Sequence, residues 1–470
     1  MYKSKVLKLS LLFLVFIFVV SFSLFGCKKE VAPAEEAALA EEVEEAAPAE
    51  EEAAEEPVKL TMWYWGEQEG PGMEGWVNES IEMYQAEHPN ITIEAVLQTT
   101  EGLYSAFRTA AEAKQTPDIQ YMWSETWTFE DVWMGNVMDI TEYWSEEDLK
   151  YMTNADTGVL EGKRYGVSFY FMPYTMVYNK KVLEASGIKS PPETWDEFIE
   201  DCKVLKENGF VPYSVGLKDN MFAAFICDFM VPQYFNKQSE AMLPTIGEAK
   251  WTDYTYADWW KKLAQLIPYF NEDAASIDVY QGVDAFGQGN VGFEMYAYGG
   301  IAPLYDVLGE DIVRMSFPRI GEGSYFTDRA PQSAQQLVVP AYSEHPKEAC
   351  DFLKFILSPE RANAMYVASG LFPCNNQFDK SLMRNEFEKS VFEYSVERPM
   401  HNAICNYTSP EVAWGGIGTY FTPIYNGELS SEEVAQTIED MTVQWRESNP
   451  DMLENYKSWY NSLVEMEKSE

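Results

Sequence analysis

From residue 58 onward, short apolar runs alternate with stretches whose apolar positions recur every three or four residues. Residues 59–63 and 91–97 read as strands on either side of a helix over 76–88, and a helix over 103–113 leads into a third strand at 118–123. Strands separated by amphipathic helices predict an α/β lobe with a largely parallel sheet and right-handed crossovers. Ligands in such sheets sit beyond the carboxyl ends of the strands. That rule singles out Tyr64, Trp65 and Glu67 after the first strand, and Ser124, Glu125 and Trp127 after the third, as one rim. Further on, Pro191 and Pro192 stop the chain, Thr194 can cap, and Glu197 completes a capping box for a helix running to Asn208.

The start of the chain has a different pattern. Lys3, Lys5 and Lys8 precede an apolar run over 9–20, and Gly26 stands before Cys27. A basic segment, an apolar segment and a small residue before a cleavage point mark an exported protein. Because cysteine comes next, the segment resembles a bacterial lipoprotein signal, in which the Cys27 thiol takes a diacylglycerol and becomes the mature N-terminus. An uncleaved anchor is the alternative, since 9–26 approaches the roughly 20 residues that span a bilayer. Residues 28–57 are almost entirely Ala, Glu and Pro, too poor in apolar surface to order, and read as an extended acidic tether.

Charge and composition narrow the function classes. The chain carries 76 acidic against 34 basic residues, a formal net charge of −42, and its Lys and Arg are scattered. Nucleic-acid binding is therefore not expected, since phosphate contacts need a basic footprint. His88, His345 and His401 are the only histidines, none near Cys or carboxylates at ligand spacing, so a zinc site or a His-based triad has no support. With Cys27 reserved for lipid, Cys202, Cys227, Cys350, Cys374 and Cys405 leave an odd number, and no CxxC occurs. Cys202 and Cys350 fall on helical apolar faces and read as buried thiols. About 400 residues after the tether exceed what one core usually supports, so two lobes are expected.

An ordered set of motifs then carries a resemblance. Tyr178-Asn179-Lys180 ends a strand, Pro191 to Glu197 opens a helix as Pro-Pro-x-Thr-Trp-Asp-Glu, and 206–209 closes it. In the same order come Thr116-Pro-Asp-Ile-Gln-Tyr, Phe286-Gly-Gln-Gly-Asn-Val-Gly-Phe, Phe352-Leu-Lys-Phe-Ile-Leu-Ser-Pro-Glu, Ser369-Gly-Leu-Phe-Pro and Asn426-Gly-Glu-Leu-Ser-Ser-Glu-Glu. Together these resemble the extracellular solute-binding proteins of ABC importers, in the large family that includes maltose-binding protein. The resemblance implies a type II periplasmic-binding-protein fold of two α/β lobes, each with a mostly parallel sheet, joined by hinge strands near 169–174 and 320–335. Residues 58–170 with 332–398 would form the first lobe, and 171–331 with 399–470 the second. The lobes would close over solute and present the loaded form to a membrane permease.

The resemblance also implies binding residues: Trp65 and Glu67 after the first strand, Trp123, Glu125 and Trp127 after the third, and Tyr174 at the hinge. Counting back from Asn426-Gly427 puts Trp414 at an aromatic platform, and Glu294, Tyr296 and Tyr298 fall on the other aromatic wall. A sugar ring shows hydroxyls at its edge and C–H groups on its faces, so indoles beside carboxylates suit a carbohydrate, one larger than a monosaccharide. A peptide or polyamine is the alternative solute. A glycosidase and a glycan-binding adhesin are the alternative classes, but no carboxylate pair or G-x-S-x-G motif stands out. Trp195 and Trp251 read as structural, and one of Trp259 and Trp260 as packing while the other reaches the cleft. No catalytic cofactor and no ATP-binding loop are implied. The expected partners are a carbohydrate, permease subunits and, through lipid, the membrane, with the protein acting as a monomer.

Overall fold

The computed structural model describes residues 56–469, apart from 101, 220, 402 and 403. The expected signal, the Cys27 lipidation and nearly all of the tether lie outside the described residues. Among those described, no helix is long and apolar enough to cross a membrane.

Strands β1 (Val58–Tyr64), β2 (Ile91–Leu97) and β3 (Ile119–Trp123) are parallel, with α1 (Met73–Glu87) and α2 (Leu103–Glu112) as their crossovers. Val58 pairs with Ile91 and the register holds to Tyr64 against Leu97. Leu60 and Met62 on β1 are wholly buried, as the alternation of a strand with one covered face requires. Helix α3 (Thr126–Trp133) comes directly after β3.

The element that organises the molecule is the 14-residue strand β4 (Gly166–Asn179). Its aromatic and β-branched residues suit a strand buried on both faces, and all but two are buried. It is joined by α4 (Trp195–Glu207), β5 (Val211–Tyr213), α5 (Phe222–Met230), β6 (Val291–Ala297), β7 (Ile312–Met315) and β8 (Ala330–Val338). The strand order is β2-β1-β3-β8-β4-β6-β5, with β7 also on β4. The first half of β4 pairs antiparallel with β8 as far as Pro173, and from Tyr174 onward it pairs with β6. Pro173 has no N–H for a ladder bond, and it stands at the point where the strand changes partners. Thus the outer strands are parallel, whereas β8 and β4 run antiparallel to their neighbours through the middle of the sheet.

Helix α4 starts with the capping box expected of Thr194 and Glu197. One apolar cluster gathers β1–β3 with the 346–356 and 359–369 helices, and a second gathers α4, α5 and the C-terminal helices. Phe129 on α3 belongs to the second cluster, where it meets Trp459 edge-on at 5.1 Å. Trp195 and Trp251 are core residues as read from sequence. For Trp259 and Trp260 the reading needs correction: both are buried, their rings 3.9 Å apart, so neither reaches a cleft.

Candidate functional site

The site begins at the carboxyl ends of β1 and β3. After Trp65 the chain turns at Gly66 (φ 133°), where a side chain would crowd the Tyr170 hydroxyl. After Trp123 it turns at Glu125, whose φ of 54° is uncommon for a residue with a side chain. That turn starts α3 and brings Trp127 back against Trp123, with ring centroids 5.0 Å apart and nearly perpendicular. Trp65 meets Trp123 at 6.1 Å, also edge to face. These indoles form one wall of a cavity of about 500 Å³.

The opposite wall is assembled from distant segments. Phe225 comes from α5, Tyr296 from β6, Tyr280 from the 279–287 helix, and Trp414 from a π-helical turn over Ala413–Gly418. Such turns recur at functional sites because they redirect a side chain. The rings continue around the cavity in unbroken contact: Trp127 to Trp414 at 6.3 Å, Trp414 to Phe225 at 6.3 Å, Phe225 to Tyr296 at 5.0 Å, and Tyr296 to Tyr280 at 5.7 Å. Trp414 is partly exposed, and its indole N–H meets no acceptor among the described residues. The crossing strands supply Tyr174, Ser333 and Gln335 between the walls.

Polar groups interrupt this belt. Glu69 accepts from the Tyr170 hydroxyl at 2.8 Å, Tyr170 touches Tyr121 at 3.3 Å, and Tyr121 donates to Gln335 at 2.6 Å. Burial pushes the Glu69 carboxyl up to about 7 against the lowering pull of that bond. Asp228 is pushed up to about 8, also by burial, with the Ile404 N–H at 2.8 Å pulling the other way. Gln68, Thr100, Asp219 and Asn406 add polar groups to the lining, and no Lys or Arg is part of it among the described residues. At neutral pH Asp228 therefore keeps its proton and can donate as well as accept. A smaller cavity of about 160 Å³, with Arg314 and Arg319, shares Tyr174 with this one.

Of the residues named from sequence, Trp65, Trp123, Trp127, Tyr174, Tyr296 and Trp414 line the cavity. Four do not. Glu67 turns back to the start of α1, accepting from Gly72 N–H at 2.9 Å and Glu74 N–H at 2.7 Å. Glu125 is buried at the start of α3. Glu294 points into the core, where it accepts from Ser214 and from the Met295 N–H, and burial pushes its carboxyl to about 8. Tyr298 stacks on Phe372 at 4.4 Å. Gly300 faces the cavity in its place, and a side chain there would strike the Tyr296 ring. Sequence reasoning missed Glu69, Tyr104, Phe225, Asp228, Tyr280, Gln335 and Asn406. Glu69 shares the loop of Trp65 and could have been found there, while the others carry no local signal.

Two walls from opposite ends of a shared sheet, with two crossing strands between them, define a receptor for a small solute. Residues 64–362 match the family described as bacterial extracellular solute-binding protein, and the chain belongs to that family. It is 24% identical over 307 residues to the melibiose/raffinose/stachyose-binding protein MelE of Bacillus subtilis, covering 62% of this chain and 69% of that protein. The diacetylchitobiose binding protein DasA of Streptomyces coelicolor is 21% identical over 80% of this chain and 87% of its own. A solved chitin oligosaccharide binding protein superposes with a TM-score of 0.74 at 16% identity, over 83% of this chain and 98% of its own. The fold is thus the two-lobed periplasmic-binding-protein type, and the family places the protein outside the cytoplasm.

Proposed function

We propose that the protein is the receptor of an ABC importer: it captures an oligosaccharide between its two walls and delivers it to the membrane permease. The observation that carries this reading is the belt of seven rings from Trp65 to Tyr280 around one cavity, interrupted by hydrogen-bonding groups and, among the described residues, without a Lys or Arg. Ring faces match the C–H faces of sugars, while Glu69, Asp228, Gln335 and Asn406 match hydroxyls. Asp228, kept protonated by burial, can both donate to and accept from a sugar hydroxyl. MelE and DasA, by their names, bind oligosaccharides, which points the same way. Capture involves no bond breaking. The lipid on Cys27 would hold the receptor, as a monomer, at the membrane with the acidic segment as spacer.

A thermal-shift panel of mono-, di- and oligosaccharides against amino acids, peptides and polyamines tests the proposal. Ligand at about 100 times its Kd adds roughly 2.7 kcal/mol to stability, which is readily seen. A shift restricted to oligosaccharides is expected. Shifts restricted to peptides or polyamines would overturn the sugar reading and leave the fold untouched.

A further inference from the structure

Beneath the aromatic belt two thiols face each other. Cys227 Sγ lies 3.7 Å from Cys405 Sγ, although the residues stand 178 positions apart. Both are buried, and Cys405 lines the cavity. Their neighbour Asp228 sets this meeting. On α5 beside Cys227, its carboxyl oxygen accepts the Ile404 N–H at 2.8 Å and a further backbone bond comes from Cys405, clamping the 404–406 turn against the helix. Three ligand atoms of Cys227, Asp228 and Cys405 lie within 4.8 Å of one another, a spacing that would also suit a soft cation. Asp228 Oδ1 already accepts the Ile404 N–H and meets Cys227 Sγ at 3.6 Å, while the two sulfurs face each other directly, so the geometry favours sulfur–sulfur bonding.

We propose that Cys227 and Cys405 form a disulfide in the exported protein, a covalent staple across the second wall of the cleft. A disulfide is about 2.05 Å long, so the sulfurs must close by roughly 1.7 Å, a distance within side-chain rotation. The oxidant is a disulfide donor of the extracytoplasmic space. One cysteine thiolate attacks a donor sulfur, giving a mixed disulfide and one donor thiolate. The second cysteine then attacks the protein-side sulfur, releasing the other donor thiolate. Two thiols are oxidised, the donor disulfide gains two electrons, and both protons pass to the donor sulfurs. Burial pushes the Cys227 thiol well up, so exchange runs during folding, before the 404–406 turn docks.

The staple joins α5, which carries Phe225 and Asp228, to the segment that carries Asn406 and Trp414. It ties a very long loop and so strongly restricts the unfolded chain. An effect on solute affinity would rest on the sugar-receptor reading; the thiol count and melting temperature do not.

The test uses the full-length protein purified from the exporting host without reductant. Thiol titration in denaturant should find Cys202, Cys350 and Cys374 free, together with Cys27 in any chain that carries no lipid there, and peptide mapping should find a 227–405 cross-link lighter by two hydrogens. Reductant should lower the melting temperature of the wild type and leave that of a Cys227→Ser/Cys405→Ser variant unchanged. Titration of Cys227 and Cys405 as free thiols, or a cross-link involving another pair, would overturn the proposal. Stoichiometric zinc protecting two thiols of the protein as purified would overturn it too, by assigning the trio to a metal.

Discussion

The two walls of the cavity present the same chemistry but are built in opposite ways. Trp65, Trp123 and Trp127 lie within the first βαβαβα stretch, directly after two parallel strand ends, and they pack on one another as core residues do. Trp65 is only 3% exposed and its indole N–H is bonded to Thr100 at 3.1 Å. Phe225, Tyr280, Tyr296 and Trp414 come from four separate elements spread over nearly 190 positions, and Trp414 keeps an unused donor. Trp65 and Trp127 thus extend the core, whereas Phe225, Tyr280 and Trp414 keep part of their rings uncovered on the second wall.

The sharpest way to break this contrast is to truncate one ring on each side. Trp65→Ala should cost about 3–5 kcal/mol of stability, the usual range for emptying a buried indole site. Chemical denaturation measures it. A loss below about 1 kcal/mol would mean that Trp65 is not core, and the distinction between the walls would fall.

Trp414→Ala should leave stability nearly intact and weaken solute binding by about 1–3 kcal/mol, roughly 5- to 150-fold in Kd. Calorimetric titration with the sugar found in the thermal-shift panel measures it. Unchanged affinity would remove Trp414 from the site and leave the second wall without its centre.

The same contrast explains why one wall was legible and the other only in part. The rule that ligands gather at strand ends is local, so Trp65 and Trp127 could be read from three strands in succession, whereas Trp123 came through the family resemblance. Trp414 and Tyr296 came only through an ordered family resemblance. Phe225, Asp228 and Asn406 came from neither, because a buried Phe-Ile-Cys-Asp on a helix looks like any core segment until Ile404 docks on it. The carboxylates were over-read for a physical reason: a strand-end Glu can serve the protein instead. Glu294 is satisfied by Ser214 within the second half's own core.

Protonation sharpens the comparison at smaller amplitude. Burial raises Glu69 and Glu130 to about 7, and Asp228 and Glu294 to about 8. Folded-state values above the unfolded ones near 4 mean that the native state holds more protons between about pH 4 and 8. Stability from these groups is full below that window and is lost as pH rises through 7 to 8. The melting temperature should therefore fall by a few degrees from pH 5.5 to pH 8.5. Asp228→Asn should flatten the upper part of that slope, and Glu69→Gln the lower part. A melting temperature rising with pH across this range would contradict the burial of these four carboxyls and the neutral state of Asp228 in the cavity.

The smallest effect tests a residue that belongs to neither wall. Helix α1 begins at Gly72, in a left-handed conformation with no side chain to cap the first turn. Glu67 reaches across five positions to accept the Gly72 and Glu74 N–H groups, placing a carboxylate at the positive end of the helix. Glu67→Ala should then cost about 0.5–1 kcal/mol of stability, and Glu67→Gln less, since an amide oxygen can still accept one of the bonds. Solute affinity should stay within about twofold in both, far below the 1.4 kcal/mol that a tenfold change represents. A tenfold loss of affinity with unchanged stability would return Glu67 to the rim, and the line between strand-end residues that serve the fold and those that serve the solute would have to be redrawn.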